Sequence, residues 1–170
     1  MNNLKNKVVV VTGGNGLLGK AMIKTFDLQG AITINIDVTN KTNIKQKNIY
    51  CDVTNQSSIE ESVSNIYEHY GRIDGWVNNA YPKTFDWNNN FEKITIQSWN
   101  NNVDWQLNSI FNISQKVLPI MSDQGYGSMI NMGSIYGVVA PDFKIYEGTN
   151  MTMPAAYSAI KGGLIQFSKY

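Results

Sequence analysis

The chain is poor in cysteine, arginine and histidine, with one of each: Cys51, Arg72 and His69. A lone thiol cannot close an internal disulfide, which points to a reducing compartment and hence to the cytoplasm. Basic and acidic residues nearly cancel, 14 against 13, for a formal net charge of +1. No basic field draws nucleic acid, and no acidic field draws a cationic partner. His69 lies just before Gly71 with no cluster of Cys, His or carboxylates around it. It reads as a solvated cation at a helix C-terminus, and no metal site is expected. The longest purely apolar run is Val8 to Val11, four residues, far short of a membrane span. Met1–Lys5 holds no long apolar stretch, so no secretory signal is expected. Internal repeats and linkers rich in Pro, Gly or Ser are also missing, and 170 residues is the length of one domain, 1–170.

What is present suffices for a core. Hydrophobic residues make up 42% and charged residues 16%, which excludes a disordered polar chain. The 22 asparagines read as a bias of the source genome rather than as function.

Short β-branched runs alternate with helical patterns. Lys7–Thr12 is a near-continuous apolar run, as expected of a strand buried on both faces. After the break at Gly13–Gly16, the spacing of Leu18, Ala21, Met22, Thr25 and Phe26 predicts a helix with a mostly apolar stripe. Ala31–Ile36, ending in Asp37, and Asn48–Asp52 read as the second and third strands. The gap between them leaves room only for a short helix. Ser58-Ile-Glu-Glu61 has the form of a capping box opening the next helix. Ile73–Asn78 is a fourth strand, a long helix follows from about Ile96 to Met121, and Gly127–Gly133 is a fifth strand. Pro154 suits the first turn of a last helix running to Tyr170. This alternation predicts an α/β fold: a Rossmann-like, doubly wound parallel sheet in three αβα layers with right-handed crossovers. Such a fold uses six strands, and five are visible.

Thr12-Gly13-Gly14-Asn15-Gly16-Leu17-Leu18-Gly19 follows the first strand and opens the first helix. Glycine lets the backbone approach a pyrophosphate, and the helix start offers unpaired N–H groups and a positive dipole end. Gly19 permits close packing of helix on sheet. No Lys-Ser/Thr pair follows, so this is a dinucleotide loop rather than a triphosphatase loop. Asp37, 18 residues beyond Gly19, ends the second strand. A carboxylate there accepts from a ribose diol and repels a 2′-phosphate, which favours NAD over NADP.

Tyr157 and Lys161 lie four residues apart, on one helical face. A phenol is a weak acid, with a pKa of ~10. An ammonium at ~4 Å favours the phenolate by about 4 kcal/mol at intermediate dielectric. The pair thereby suits proton exchange with an alcohol or carbonyl near neutral pH.

In order along the chain, the glycine loop, Asp52-Val53, Asn78-Asn79-Ala80, Ser134 and the Tyr157/Lys161 pair resemble short-chain dehydrogenases/reductases. The resemblance covers essentially the whole chain. It implies hydride transfer to or from a nicotinamide, with Tyr157 as general acid/base. Lys161 would favour the ionised phenol and hold the nicotinamide ribose, and Ser134 would position the reacting oxygen. Asp52 and Val53 would flank the adenine, and Asn79 and Ala80 would line the cofactor. It also implies a homo-oligomer built through the long helix and the Tyr157 helix.

Departures from the family pattern are informative. The spacing of Gly13, Gly16 and Gly19 resembles that of the extended, nucleotide-sugar branch. Tyr81-Pro82 replaces a usual glycine. Aligning Leu107 and Phe111 on the family pattern puts Gln106 where a catalytic asparagine supports a water relay to the lysine. Asn108, about 200° further round an α-helix, is unsuited to substitute. The 23-residue gap from Ser134 to Tyr157 is long for the family. With Ser134-Ile135-Tyr136-Gly137 and Ala80-Tyr81-Pro82, that stretch resembles oxidoreductases of flagellin glycosylation and nonulosonic (legionaminic-type) sugar synthesis. This implies a bacterial enzyme with a sugar or sugar-derived small-molecule substrate. The family continues beyond the tyrosine helix into a sixth strand, a substrate-covering helix and a seventh strand, so the chain resembles the N-terminal two-thirds of such an enzyme. The alternative reading is a dinucleotide-binding module without turnover.

Overall fold

The structure, a computed structural model, describes residues 3–170. Its elements run β1 Val8–Thr12, α1 Leu17–Leu28, β2 Ile32–Asp37, β3 Asn48–Tyr50, α2 Gln56–Tyr70 and β4 Gly75–Asn78. Then come α3 Ile96–Val103, a π-helical segment Asp104–Asn108, α4 Ser109–Asp123, β5 Ser128–Asn131 and α5 Ala155–Lys169. All five expected strands form; β2 keeps its expected length one residue further on, and the other four are shorter than expected. They pair in parallel in the order β3-β2-β1-β4-β5. These are the first arm of a doubly wound sheet, β3-β2-β1, and two strands of the second, with the reversal of strand order between β1 and β4.

The chain divides into two compact units. The first, Met1–Tyr81 with Ser109–Met132, holds the sheet. Val8, Val10, Ile34, Ile36, Ile49 and Trp76 point to one face of the sheet and pack with Ile59, Val63 and Ile66 of α2 and Ile113, Val117 and Met121 of α4. Each fully buried Ile or Val there contributes about 1.5–3 kcal/mol. Cys51 and Val53 lie in the same cluster. On the opposite face α1 covers β1 and β2, and its close contact is made by Gly19. A Cβ on Gly19 would stand 2.2 Å from the Gly13 carbonyl oxygen. The expected apolar stripe of α1 is only half realised: Gly19 alone is buried, and Leu18 is exposed.

The second unit comprises Pro82–Asn108 and Gly133–Tyr170. Its core is Trp87, Ala156 and Ile160, packed with Trp99, Val103, Leu107 and Tyr157.

Two local expectations need correction. Helix α2 starts two residues before Ser58, capped by Asn55, whose side chain accepts from the Ser58 amide. The Ser58 hydroxyl instead accepts from the Asp52 amide, so the capping-box serine serves the end of β3. The long helix is interrupted by the π-helical segment. Between β2 and β3 the helix is short, as expected: a single 3-10 turn, Ile44–Gln46.

Candidate active site

In the sheet unit, the turn after β1 is held by β4. The Thr12 hydroxyl accepts from the Asn79 and Ala80 amides, both at 3.0 Å. Asn79 Nδ2 donates to the carbonyls of Thr12 and Gly13, at 3.0 and 3.1 Å. Asn79 therefore braces the glycine turn. Gly13 is glycine for two reasons: its φ is +65°, and a Cβ would stand 2.9 Å from the Ala80 Cα.

Gly16 caps α1 without any side-chain bond, and the first turn carries no acidic residue. The first N–H groups of α1 are left for an anion from outside, at the positive end of the helix dipole. This loop fits a pyrophosphate. Leu17 and Leu18 at its rim are exposed, as a surface facing a ligand requires.

Asp37 ends β2. Its Oδ2 accepts from the Asn15 amide at 3.0 Å, and its Oδ1 accepts from the Thr39 amide and hydroxyl. Burial by itself would raise this carboxyl. The Thr39 and Asn15 donors outweigh it and hold the group below its ordinary 3.8. Asp52, two residues after β3, accepts from the Thr54 amide and hydroxyl. Val53 turns into the core.

In the second unit, Ser134 precedes a 3-10 turn, Ile135–Gly137, and its hydroxyl accepts from the Tyr136 amide at 3.2 Å. That turn lies directly on α5. A Cβ on Gly137 would stand 2.7 Å from the Lys161 carbonyl carbon, and one on Gly162 would stand 3.3 Å from the Gly137 oxygen. Two glycines thus dock the serine turn on the helix that carries Tyr157 and Lys161. The Tyr157 ring meets Trp87 edge to face, centroids 6.3 Å apart. Lys161 is buried, its Nζ 5.7 Å from the Tyr157 ring centroid. Burial pushes the Lys161 ammonium down from its usual 10.5. The hydrogen bond between the Tyr136 and Tyr146 phenols favours the neutral form of Tyr146 and holds it above its ordinary value.

Gln106 lies in the π-helical segment and is buried. Its Nε2 donates to the Pro82 carbonyl at 2.8 Å, and its Oε1 is buried without a hydrogen-bond partner. Asn108 is turned away, bonded to Asp104 at the surface.

The sequence reading missed Ser98 and Asn102, which hold the same loop as Gln106. Ser98, Asn102 and Gln106 are spaced by four and all buried. Asn102 accepts from the Thr84 amide and donates to its hydroxyl, and Ser98 donates to Asp86 at 2.6 Å. Together with Gln106 they anchor the loop that carries Pro82, Thr84 and Asp86. The available signal was a polar stripe at helical spacing. Trp87 beneath Tyr157 carried no comparable signal.

Among the described residues, no three His, Cys, Asp or Glu side chains gather as a metal site. Burial pushes the Cys51 thiol up, the opposite of what a nucleophile needs.

A parallel sheet with a glycine turn at its switch point, an uncapped helix start and a carboxylate ending β2 defines a dinucleotide-binding α/β protein. Residues 7–170 match the short chain dehydrogenase family, and the chain belongs to it. It is 30% identical to the post-translational flagellin modification protein A of Campylobacter coli, over 95% of this chain and 68% of that protein. It is 27% identical to the 3-oxoacyl-acyl-carrier-protein reductase FabG of Escherichia coli (98% and 66%). With the 7alpha-hydroxysteroid dehydrogenase of Bacteroides fragilis it shares 26% (100% and 66%). A short chain dehydrogenase from Leptospira borgpetersenii with bound NAD+ superposes with a TM-score of 0.83 at 28% identity, over 98% of this chain and 65% of that one. The aldohexose dehydrogenase of Thermoplasma acidophilum superposes at 0.82 with 26% identity (99% and 61%). The chain thus spans about two thirds of the length of the curated relatives it matches.

Proposed function

We propose that this chain serves an NAD-dependent oxidoreductase acting on a hydroxyl or carbonyl of a sugar or sugar-derived substrate, in the modification of flagellin or another surface glycan. The observation that carries the proposal is the docking of the Ser134 turn on the Tyr157/Lys161 helix through Gly137 and Gly162. The sugar class is supported by the flagellin-modification relative and by the aldohexose dehydrogenase.

When bound, the nicotinamide supplies or accepts the hydride. Gly13, Gly16, Gly19 and the first N–H groups of α1 hold the pyrophosphate, Asp37 holds the adenosine ribose, and Asp52 and Val53 border the adenine. Asn79 and Ala80 keep the glycine turn in shape. The Tyr157 hydroxyl passes a proton to, or takes one from, the substrate oxygen. Ser134 donates a hydrogen bond to that oxygen. Lys161, desolvated, acts on the phenol as a cation at close range and binds a ribose hydroxyl. Gln106 holds Pro82 and offers its Oε1 as an acceptor for a bridging water.

The reading includes a homo-oligomer through α4 and α5. Phe111 and Leu118, seven residues apart on α4, are each about half exposed, 47% and 46%. It also places the protein in the cytoplasm, with Cys51 reduced. Among the described residues, no helix is long and apolar enough to cross a membrane.

The test is absorbance at 340 nm with NAD or NADH against a panel of aldoses, sugar nucleotides, 3-oxoacyl thioesters and hydroxysteroids. Turnover confined to the sugars supports the assignment. Turnover of the acyl or steroid substrates alone overturns the substrate class, and NAD binding without turnover of any of them overturns the catalytic reading.

A further inference from the structure

Two strands end on the same tripeptide. Asp37-Val38-Thr39 closes β2, and Asp52-Val53-Thr54 follows β3. In each, the threonine amide and hydroxyl donate to the aspartate Oδ1. The distances are 2.9 and 2.7 Å at Thr39, and 2.9 and 2.8 Å at Thr54. The turns are alike but their attachments differ. Asp52 is tied to α2 through its amide and the Ser58 hydroxyl. Asp37 is tied to the glycine loop: its Oδ2 accepts from the Asn15 amide at 3.0 Å. Asn15 Nδ2 also donates to Thr39 Oγ1 at 2.7 Å and to Asn40 Oδ1 at 2.9 Å. Asn15 Oδ1 in turn accepts from Asn35 Nδ2 at 2.8 Å. A directed chain of hydrogen bonds therefore runs from Asn35 through Asn15 and Thr39 to the Asp37 carboxylate. Each donor in such a chain is strengthened by the bond it accepts.

A carboxylate has about four acceptor directions. Thr39 takes two on Oδ1 and Asn15 takes one on Oδ2, so the group is fixed in rotation with one direction open. A ribose hydroxyl has a proton to give to it. A phosphate dianion has none and meets an immobile negative charge. Discrimination by charge requires that the carboxylate not swing aside, and the Thr39 donors on Oδ1, with the Asn15 amide on Oδ2, prevent it.

We propose that Thr39, oriented by Asn15, is a positioning residue for cofactor choice, its hydroxyl fixing the Asp37 carboxylate against a 2′-phosphate. This rests on Asp37 being the ribose-binding group.

Calorimetric titration of the 170-residue chain with NAD and with NADP gives the ratio of the two dissociation constants, with thermal unfolding measured alongside. Thr39→Val keeps the side-chain shape and removes the hydroxyl, and the preference for NAD falls at least about fivefold. Thr39→Ser restores it to within about twofold, and Thr54→Val, in the matching turn, leaves it unchanged. If Thr39→Val leaves the ratio intact while Asp37→Ser collapses it, the role of Thr39 is overturned and the ribose assignment stands. If Thr54→Val shifts the ratio as far as Thr39→Val, the role is overturned as well, since any such turn would then do the same. A ratio indifferent to Asp37→Ser overturns both.

Discussion

Gly137 rests against the backbone of Lys161 so closely that a Cβ would fall 2.7 Å from its carbonyl carbon and 2.8 Å from its oxygen. Neither atom belongs to a flexible side chain, so neither can yield without moving the helix. Gly137→Ala is expected to cost about 1–3 kcal/mol of stability by overpacking. It also shifts Ser134, three residues earlier, relative to Tyr157, and misplacement by about 1 Å costs on the order of 100-fold in rate. Turnover should therefore fall much further than the melting temperature implies. Wild-type turnover in Gly137→Ala would refute the docking argument.

Tyr157→Phe removes the hydroxyl and keeps the ring against Trp87. Turnover should fall by about 10²–10⁴, while NAD affinity and the melting temperature stay close to wild type. Lys161→Ala should damage both turnover and NAD affinity, because the ammonium serves the phenol and the ribose. Stopped-flow turnover beside fluorescence titration of NADH separates the two.

Gln106→Asn shortens the side chain by one methylene, so its amide no longer reaches Pro82, now 2.8 Å away. The Pro82 carbonyl is left without this donor, at a cost of about 1–3 kcal/mol. Gln106→Leu should cost a similar amount. A denaturant titration showing either variant as stable as wild type would remove Gln106 from the anchoring role.

Asp74 accepts from Arg72, the Val8 amide and Lys7. Burial opposes ionisation, but these three partners outweigh it and hold the carboxyl below 3.8. For a lowered carboxyl, the stabilisation is fully present above the unfolded value of about 4. It is lost as pH falls through the folded value. Asp74→Asn should lower stability at pH 7 by about 2–3 kcal/mol. It should also flatten the loss of stability as pH falls below about 4. Urea midpoints across that range test this, and an unchanged acid limb would count against it.

Lys161 gives the same sign of pH dependence in the alkaline range, here because burial disfavours its charged form. With its ammonium pushed down by burial, the unfolded chain binds more protons below 10.5, so this group makes stability rise as pH increases toward that value. Urea midpoints from pH 8 to pH 10 should climb in the wild type more steeply than in Lys161→Met.

What the sequence determined by itself is local. A near-continuous apolar run marks β1, because a strand buried on both faces has no polar alternation, and the other four strands read as short β-branched or apolar segments between helical patterns. The glycine loop and Asp37 are legible from their places after β1 and at the end of β2, whereas the Tyr157/Lys161 pair, a common spacing by itself, reads as a site only through the resemblance carried by the whole set of motifs. The start of α2 was ambiguous even locally. Asn55 and Ser58 are both good caps, and the choice fell to Asn55 because the end of β3 claims the Ser58 hydroxyl. Tertiary structure alone decided what joins distant residues. The bond from Asn15 to Asp37 spans 22 positions, that from Gln106 to Pro82 spans 24, and that from Asn79 to Thr12 spans 67. The edge of Trp87 against Tyr157 and the seat of Gly137 on Lys161 are of the same kind. A hydrogen-bond donor in a sequence names no acceptor. Only the parallel register of the strands, and the close packing that glycine permits, bring one within 3 Å of the other.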